Sequence, residues 1–216
     1  MIQKHRVTAL IILLSLVATS LSAQTLTPQQ GIKELQGRYK SVSSLQADFQ
    51  EVFEWTATRE TVIRSGSLIV MDDDRFVIDT PEQQMVCDGS AVYRLNRVRN
   101  QLIIEPANQG NEAMLPKRLL MRFGDDFNPT AIAAETVAGK KGFRLELTPK
   151  DASKSLMSSS KIWATEGDWT IYRIAITDLN GNITSYLLSN IQLNQSVKAT
   201  AFQFTPPSGV ETFDMR

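Results

Sequence analysis

Ser158-Ser159-Ser160-Lys161 is the stretch whose residue types and spacing come closest to a reaction centre. It matches S-x-x-K, the nucleophile pattern of penicillin-type acyl transfer. That chemistry needs a helix, which sets the lysine amine beside the serine hydroxyl one turn away. Here the pattern runs into SKIWAT, which reads as a strand, and neither S-D-N nor K-T-G follows. Asp72-Asp73-Asp74 is the second candidate. A calcium loop needs more oxygen ligands at set spacing and usually a glycine, and the following RFVID supplies neither. Paired-carboxylate catalysis needs two acids facing across a cleft in different environments. Between the strand-like runs SLIVM and RFVID, three adjacent acids read as a polar turn. Cys87 is the single cysteine, lies in the apolar run MVC, and reads as a buried strand residue. The one histidine, His5, lies in an N-terminal leader. Its loss with that leader removes Ser-His-Asp and Cys-His catalysis and imidazole-dependent zinc sites. The residues therefore predict neither enzyme, metal site nor cofactor.

The elements that position these residues follow from periodicity. TPQQGIKELQGRYKSV places Ile32, Leu35, Tyr39 and Val42 at helical spacing. A helix is expected from Pro28 to Lys40, capped by Thr27 and weakened by Gly31 and Gly37. From Leu45 the period becomes two: Leu45, Ala47, Phe49, Phe53, Trp55 and Ala57 alternate with polar residues, and Glu51 is the one polar member of the apolar set. Further strands are expected at SGSLIVM, RFVID, QQMVCD, AVYRL, QLIIE, FRLELTP, SKIWAT, WTIYRIAIT, NITSYLLSNI and ATAFQF, with turns at Asp88-Gly89 and Asn180-Gly181. EAMLPKRLLMRF carries Leu115, Leu119, Leu120 and Phe123 at helical spacing. The prolines of TPPSGVETFD predict an extended ending. The expected fold is mainly β, in the α+β class: a single strongly curved antiparallel sheet of ten or eleven strands, an incomplete barrel, with two or three helices over its concave apolar face. Strands with apolar residues on both faces make an apolar cavity plausible.

The opening MIQKHRVTALIILLSLVATSLSAQ has a basic head, a short apolar run and small residues ending at Ala23. It reads as a secretory signal peptide over residues 1–23, with one domain over 24–216. No cysteine stands at the expected cleavage point, so no lipidation is expected there. The chain has 23 basic and 23 acidic residues, and the leader takes Lys4 and Arg6 and no acid. A slightly acidic mature chain gives no signal for nucleic-acid binding.

LQADFQE, then GSLIV and Phe76, then PEQQMVCDGSAVYRL, FRLELTPK, DLNGNITSYLLSN and AFQFTPPSGVETFDMR stand in one order along the mature chain. In that order and spacing they resemble the periplasmic outer-membrane lipoprotein carriers, the LolA-like family. The resemblance implies a half-barrel with a helical lid, no bond chemistry and no cofactor. It implies acylated lipoproteins as cargo, loaded by an inner-membrane lipoprotein-releasing ABC transporter and passed to an outer-membrane lipoprotein receptor, with the carrier a periplasmic monomer. The absence of a lipidation cysteine favours the soluble carrier over the anchored receptor of the same fold. On that reading, Phe49, Phe53, Leu68, Val70, Phe76, Ile78 and Met85 line the lipid cavity from the sheet, and Leu119, Leu120 and Phe123 from the covering helix. The family typically places an arginine and a proline after the G-x-L-x-V strand, where the arginine latches the lid; here Asp72 and Asp73 occupy those positions. Arg75 takes the latch role, or the lid closes by apolar contacts of Leu115, Leu119 and Phe123, or the cargo differs. The alternative function is a periplasmic lipid- or lipoprotein-sensing module on the same fold.

Overall fold

The computed structural model describes residues 26–107, 127–137 and 139–216; the leader and the segment carrying Leu115, Leu119, Leu120 and Phe123 lie outside them. Helix α1 spans Pro28–Tyr39. Twelve strands follow: β1 Ser44–Glu54, β2 Thr61–Met71, β3 Phe76–Asp79, β4 Gln83–Cys87, β5 Ala91–Asn96, β6 Gln101–Pro106, β7 Phe127–Val137, β8 Lys140–Pro149, β9 Met157–Thr165, β10 Ile171–Asp178, β11 Ile183–Leu193 and β12 Glu211–Asp214. They form one open, curled sheet in the order β12-β6-β5-β4-β3-β2-β1-β11-β10-β9-β8-β7. Every neighbouring pair is antiparallel except β12 with β6, which is parallel. The extended ending thus becomes an edge strand beside β6.

Helix α1 begins where its sequence directs. The Thr27 hydroxyl accepts from the Gln30 N–H, and the Gln30 side chain accepts from the Thr27 N–H, a reciprocal capping box with Pro28 in the first turn. At the other end the Tyr39 hydroxyl accepts from the buried Ile171 N–H at 3.0 Å, which pins the helix to β10. Gly31 does not weaken the helix so much as let it approach. A Cβ there would lie 2.5 Å from Ile132 Cδ1 on β7, whereas Gly37 faces open space. Ile32, Leu35, Tyr39 and Val42 complete one core with Leu145, Leu147, Ile162 and Ile174 of the sheet. The face that α1 covers is called the inner face.

Three expectations are corrected. ATAFQF is not a strand: Ala199–Phe202 is a turn of 3-10 helix, and its phenylalanine is buried. FNPTAIAAETV forms β7, which small and polar residues hid from an alternation search. The described residues hold one α-helix, α1; the further helix expected over residues 112–123 lies outside them. β1 ends at Glu54, because Trp55 to Glu60 closes a turn with Arg59 in the left-handed region.

Candidate functional site: the inner face of the sheet

β1 supplies the reference row. Leu45, Ala47 and Phe49 face inward and are buried, while the intervening Asp48 and Gln50 are exposed. The register carries this face across the sheet. Leu45 stands opposite Val70, Ala47 opposite Leu68, and Phe49 opposite Gly66 on one side and Leu188 on the other. Val70 then meets Phe76, Phe76 meets Cys87, and Cys87 meets Val92. Leu68 meets Ile78, and Ile78 meets Met85. Of the side chains predicted for the cavity, the sheet brings Phe49, Leu68, Val70 and Phe76 into one buried core, with Ile78 and Met85 half-buried against it. Gly66 is required beside Phe49: a Cβ there would collide with the Asp79 carbonyl and lie 3.0 Å from Phe49 Cζ. Phe53 differs. It is half-buried, sits edge-on to Trp55 with centroids 4.4 Å apart, and belongs to the rim rather than the core.

Cys87 is buried with a free thiol, and burial pushes that thiol above its ordinary pKa. It is therefore an apolar wall residue, not a nucleophile. The S-x-x-K residues lie on β9, where positions three apart point to opposite faces. Ser158 Oγ donates to the Thr177 and Asp178 carbonyls, and Lys161 lies 3.9 Å from Glu146.

The Asp72–Arg75 stretch is the β2–β3 turn, closed by the Met71 N–H donating to the Arg75 carbonyl with Asp74 in the left-handed region. Arg75 grips Asp73 at 2.7 Å and stacks its guanidinium 4.7 Å from the Phe202 ring centre. That bond holds the Asp73 carboxyl below its ordinary range. Since Phe76 faces inward, Arg75 points outward, toward the C-terminal segment. The same outer face carries Tyr93 stacked on Phe204 at 5.1 Å, over Ala91, Leu95, Leu102 and Ile104. Asp72 is exposed.

Periodicity alone did not find two polar rows on the inner face. Arg94 bonds Glu105 at 2.9 Å between β5 and β6. Glu51 bonds Arg64 at 3.1 Å beside Tyr186. Glu51 was visible as the one polar member of an apolar set; its partner was not, because Arg64 reaches it only through the β1–β2 register.

A single curled sheet with a helix and a continuous apolar core on one face defines the architectural class, an open half-barrel. The family model described as "Outer membrane lipoprotein carrier protein LolA" matches residues 40–205, and the chain belongs to that family. It is 30% identical over 187 residues to the outer-membrane lipoprotein carrier protein of Pectobacterium atrosepticum, covering 85% of this chain and 88% of that one. It is 27% identical over 213 residues to the protein of the same description from Proteus mirabilis, covering 95% and 98%. The fold is shared with an uncharacterized conserved protein from Thermus thermophilus, with a TM-score of 0.54 at 10% identity, over 86% of this chain and 98% of that one.

Proposed function

We propose that the protein is a periplasmic carrier that binds the acyl chains of lipoproteins on its inner face and shuttles them from the inner to the outer membrane. The supporting observation is the continuous apolar surface from Val70 and Phe76, buried, through Ile78 and Met85, half-buried, in a chain of the lipoprotein-carrier family. Each methylene exposed to water costs about 0.8 kcal/mol, so a chain of ~15 methylenes costs on the order of 12 kcal/mol and cannot cross water unaided. An apolar wall replaces the bilayer without a directional bond, and the cargo can leave again. The leader is removed near Ala23. Loading comes from a lipoprotein-releasing transporter of the inner membrane and delivery goes to an outer-membrane receptor. Arg75, engaged by Asp73 and Phe202, supports a gate without the family's arginine latch. The carboxylate of Asp72 at the latch position also favours a second reading, a lipid- or lipoprotein-sensing module on the same fold.

The test is mass spectrometry of the protein purified from its own host. Co-purified triacylated polypeptides support the carrier, free lipid supports the sensing module, and an empty protein sinks both. Phe53→Glu and Met85→Glu, each at a half-buried site, are expected to weaken uptake of an apolar dye at least about tenfold while near-UV circular dichroism is retained.

A further inference from the structure

Along β1 the inner face passes from closed to open. Leu45 is 0% exposed and Phe49 5%, and Glu51 and Phe53 are half-buried. β2 follows the same course, from Val70 at 1% to half-buried Val62. At the step between the two regimes, three polar side chains share one cross-strand row: Tyr186 on β11, Glu51 on β1 and Arg64 on β2. Phe49 and Phe53 flank the row on either side along β1, and Phe49 meets Tyr186 edge to face at 6.2 Å.

As a stabilising device the row is weak. An exposed cross-strand ion pair is worth about 0.2–1 kcal/mol, and here it interrupts an apolar surface. Its donor inventory points elsewhere. The Arg64 side chain is 47% exposed and commits one nitrogen to Glu51; its other N–H groups make no hydrogen bond with the described residues. The Tyr186 hydroxyl makes no hydrogen bond with the described residues. Burial, reinforced by the Glu51 charge, holds its pKa above the ordinary value, so it remains an O–H donor. From Leu45 to Phe49 the closed part of the strand is about 13 Å long. An acyl chain spans half of a hydrocarbon core about 30 Å thick. A chain laid along the closed part of the inner face therefore ends its hydrocarbon at this row.

We propose that Arg64 and Tyr186, with Glu51 orienting the guanidinium, form the subsite for the acyl carbonyl oxygens of the carried lipid, where its chains join their polar backbone. The inference rests on the acyl-carrier reading and adds to it the group that is recognised. The carbonyls come from the ester and amide linkages of a triacylated cysteine or from the esters of a diacyl phospholipid.

The experiment compares the wild-type protein with Arg64→Leu and with Tyr186→Phe, which keeps the ring and removes only the hydroxyl. Three probes are titrated: N-phenyl-1-naphthylamine, which has no carbonyl; a tripalmitoyl-cysteinyl-serine peptide; and dipalmitoyl phosphatidylglycerol. Both variants are expected to bind the dye as the wild type does and the lipopeptide about tenfold more weakly. An equal loss for phosphatidylglycerol assigns the ester carbonyls, and a loss confined to the lipopeptide assigns the amide; either supports the subsite. Unchanged lipopeptide affinity in both variants overturns the subsite and leaves the carrier standing. Dye and lipopeptide binding lost together in Tyr186→Phe makes the row a packing element and overturns it too. If the wild type binds none of the probes, the carrier reading falls and takes the subsite with it.

Discussion

Tyr39 shows how one side chain serves two elements. Its ring lies in the core and its hydroxyl accepts from the Ile171 N–H at the start of β10. Removing that oxygen leaves a buried N–H without an acceptor, so Tyr39→Phe is expected to lose about 1–3 kcal/mol in urea unfolding. The same burial pushes the Tyr39 hydroxyl up to about 12. A phenol unfolds to an ordinary pKa near 10, so between about pH 10 and pH 12 the folded state binds more protons than the unfolded state. The stabilisation is whole below pH 10 and is lost as pH rises through that window; Tyr39→Phe should flatten this alkaline loss. Arg75 is the second residue whose role its partners define. Its guanidinium lies between Asp73 and Phe202 on the outer face. Arg75→Leu is therefore expected to leave cargo release unchanged while speeding amide exchange over residues 199–204. Trapped cargo in that variant would show that the latch had moved to Arg75.

Within α1, two glycines that look alike in sequence make opposite predictions. Gly31 is buried and close to Ile132; Gly37 is exposed with nothing within 4 Å. Gly37→Ala should stabilise by about 0.5–1 kcal/mol through helix propensity alone. Gly31→Ala gains the same propensity but forces Ile132 aside, at a cost of about 1–3 kcal/mol, so its net effect should be destabilising. Thermal melts of the two variants, read against the wild type, check the signs. The strands repeat this division. Alternation disclosed β1 because its polar and apolar residues separate well, and a continuous apolar run disclosed the second half of β2, but β7, whose centre is alanine and threonine around one isoleucine, gave neither signal.

Across the whole molecule, the open sheet has two ends, and the chain's own terminus covers one of them. β12 pairs in parallel with β6, with Glu211 opposite Gln101 and Asp214 opposite Ile104. Phe204 and Val210 meanwhile cover the outer face of β5 and β6. Truncation after Val210 exposes the N–H and C=O groups of the β6 edge, so the shortened protein should self-associate in size-exclusion chromatography where the full chain does not. By itself the sequence determined the helix and its cap, the faces of the well-alternating strands, the turns at Asp72–Arg75, Asp88-Gly89 and Asn180-Gly181, and the family through motifs in fixed order. These are local properties: a hydroxyl that reaches its own helix, a period of two, a glycine free to take a positive φ. The tertiary structure decided which edge β12 joins, that Phe53 belongs to the rim, that Gly31 is a contact and that Arg75 faces Phe202. It also decided that Glu51 meets Arg64 and Tyr186. Each of these depends on register between strands far apart in the chain, and a shift of one residue would turn every such side chain to the other face, which no local pattern can fix.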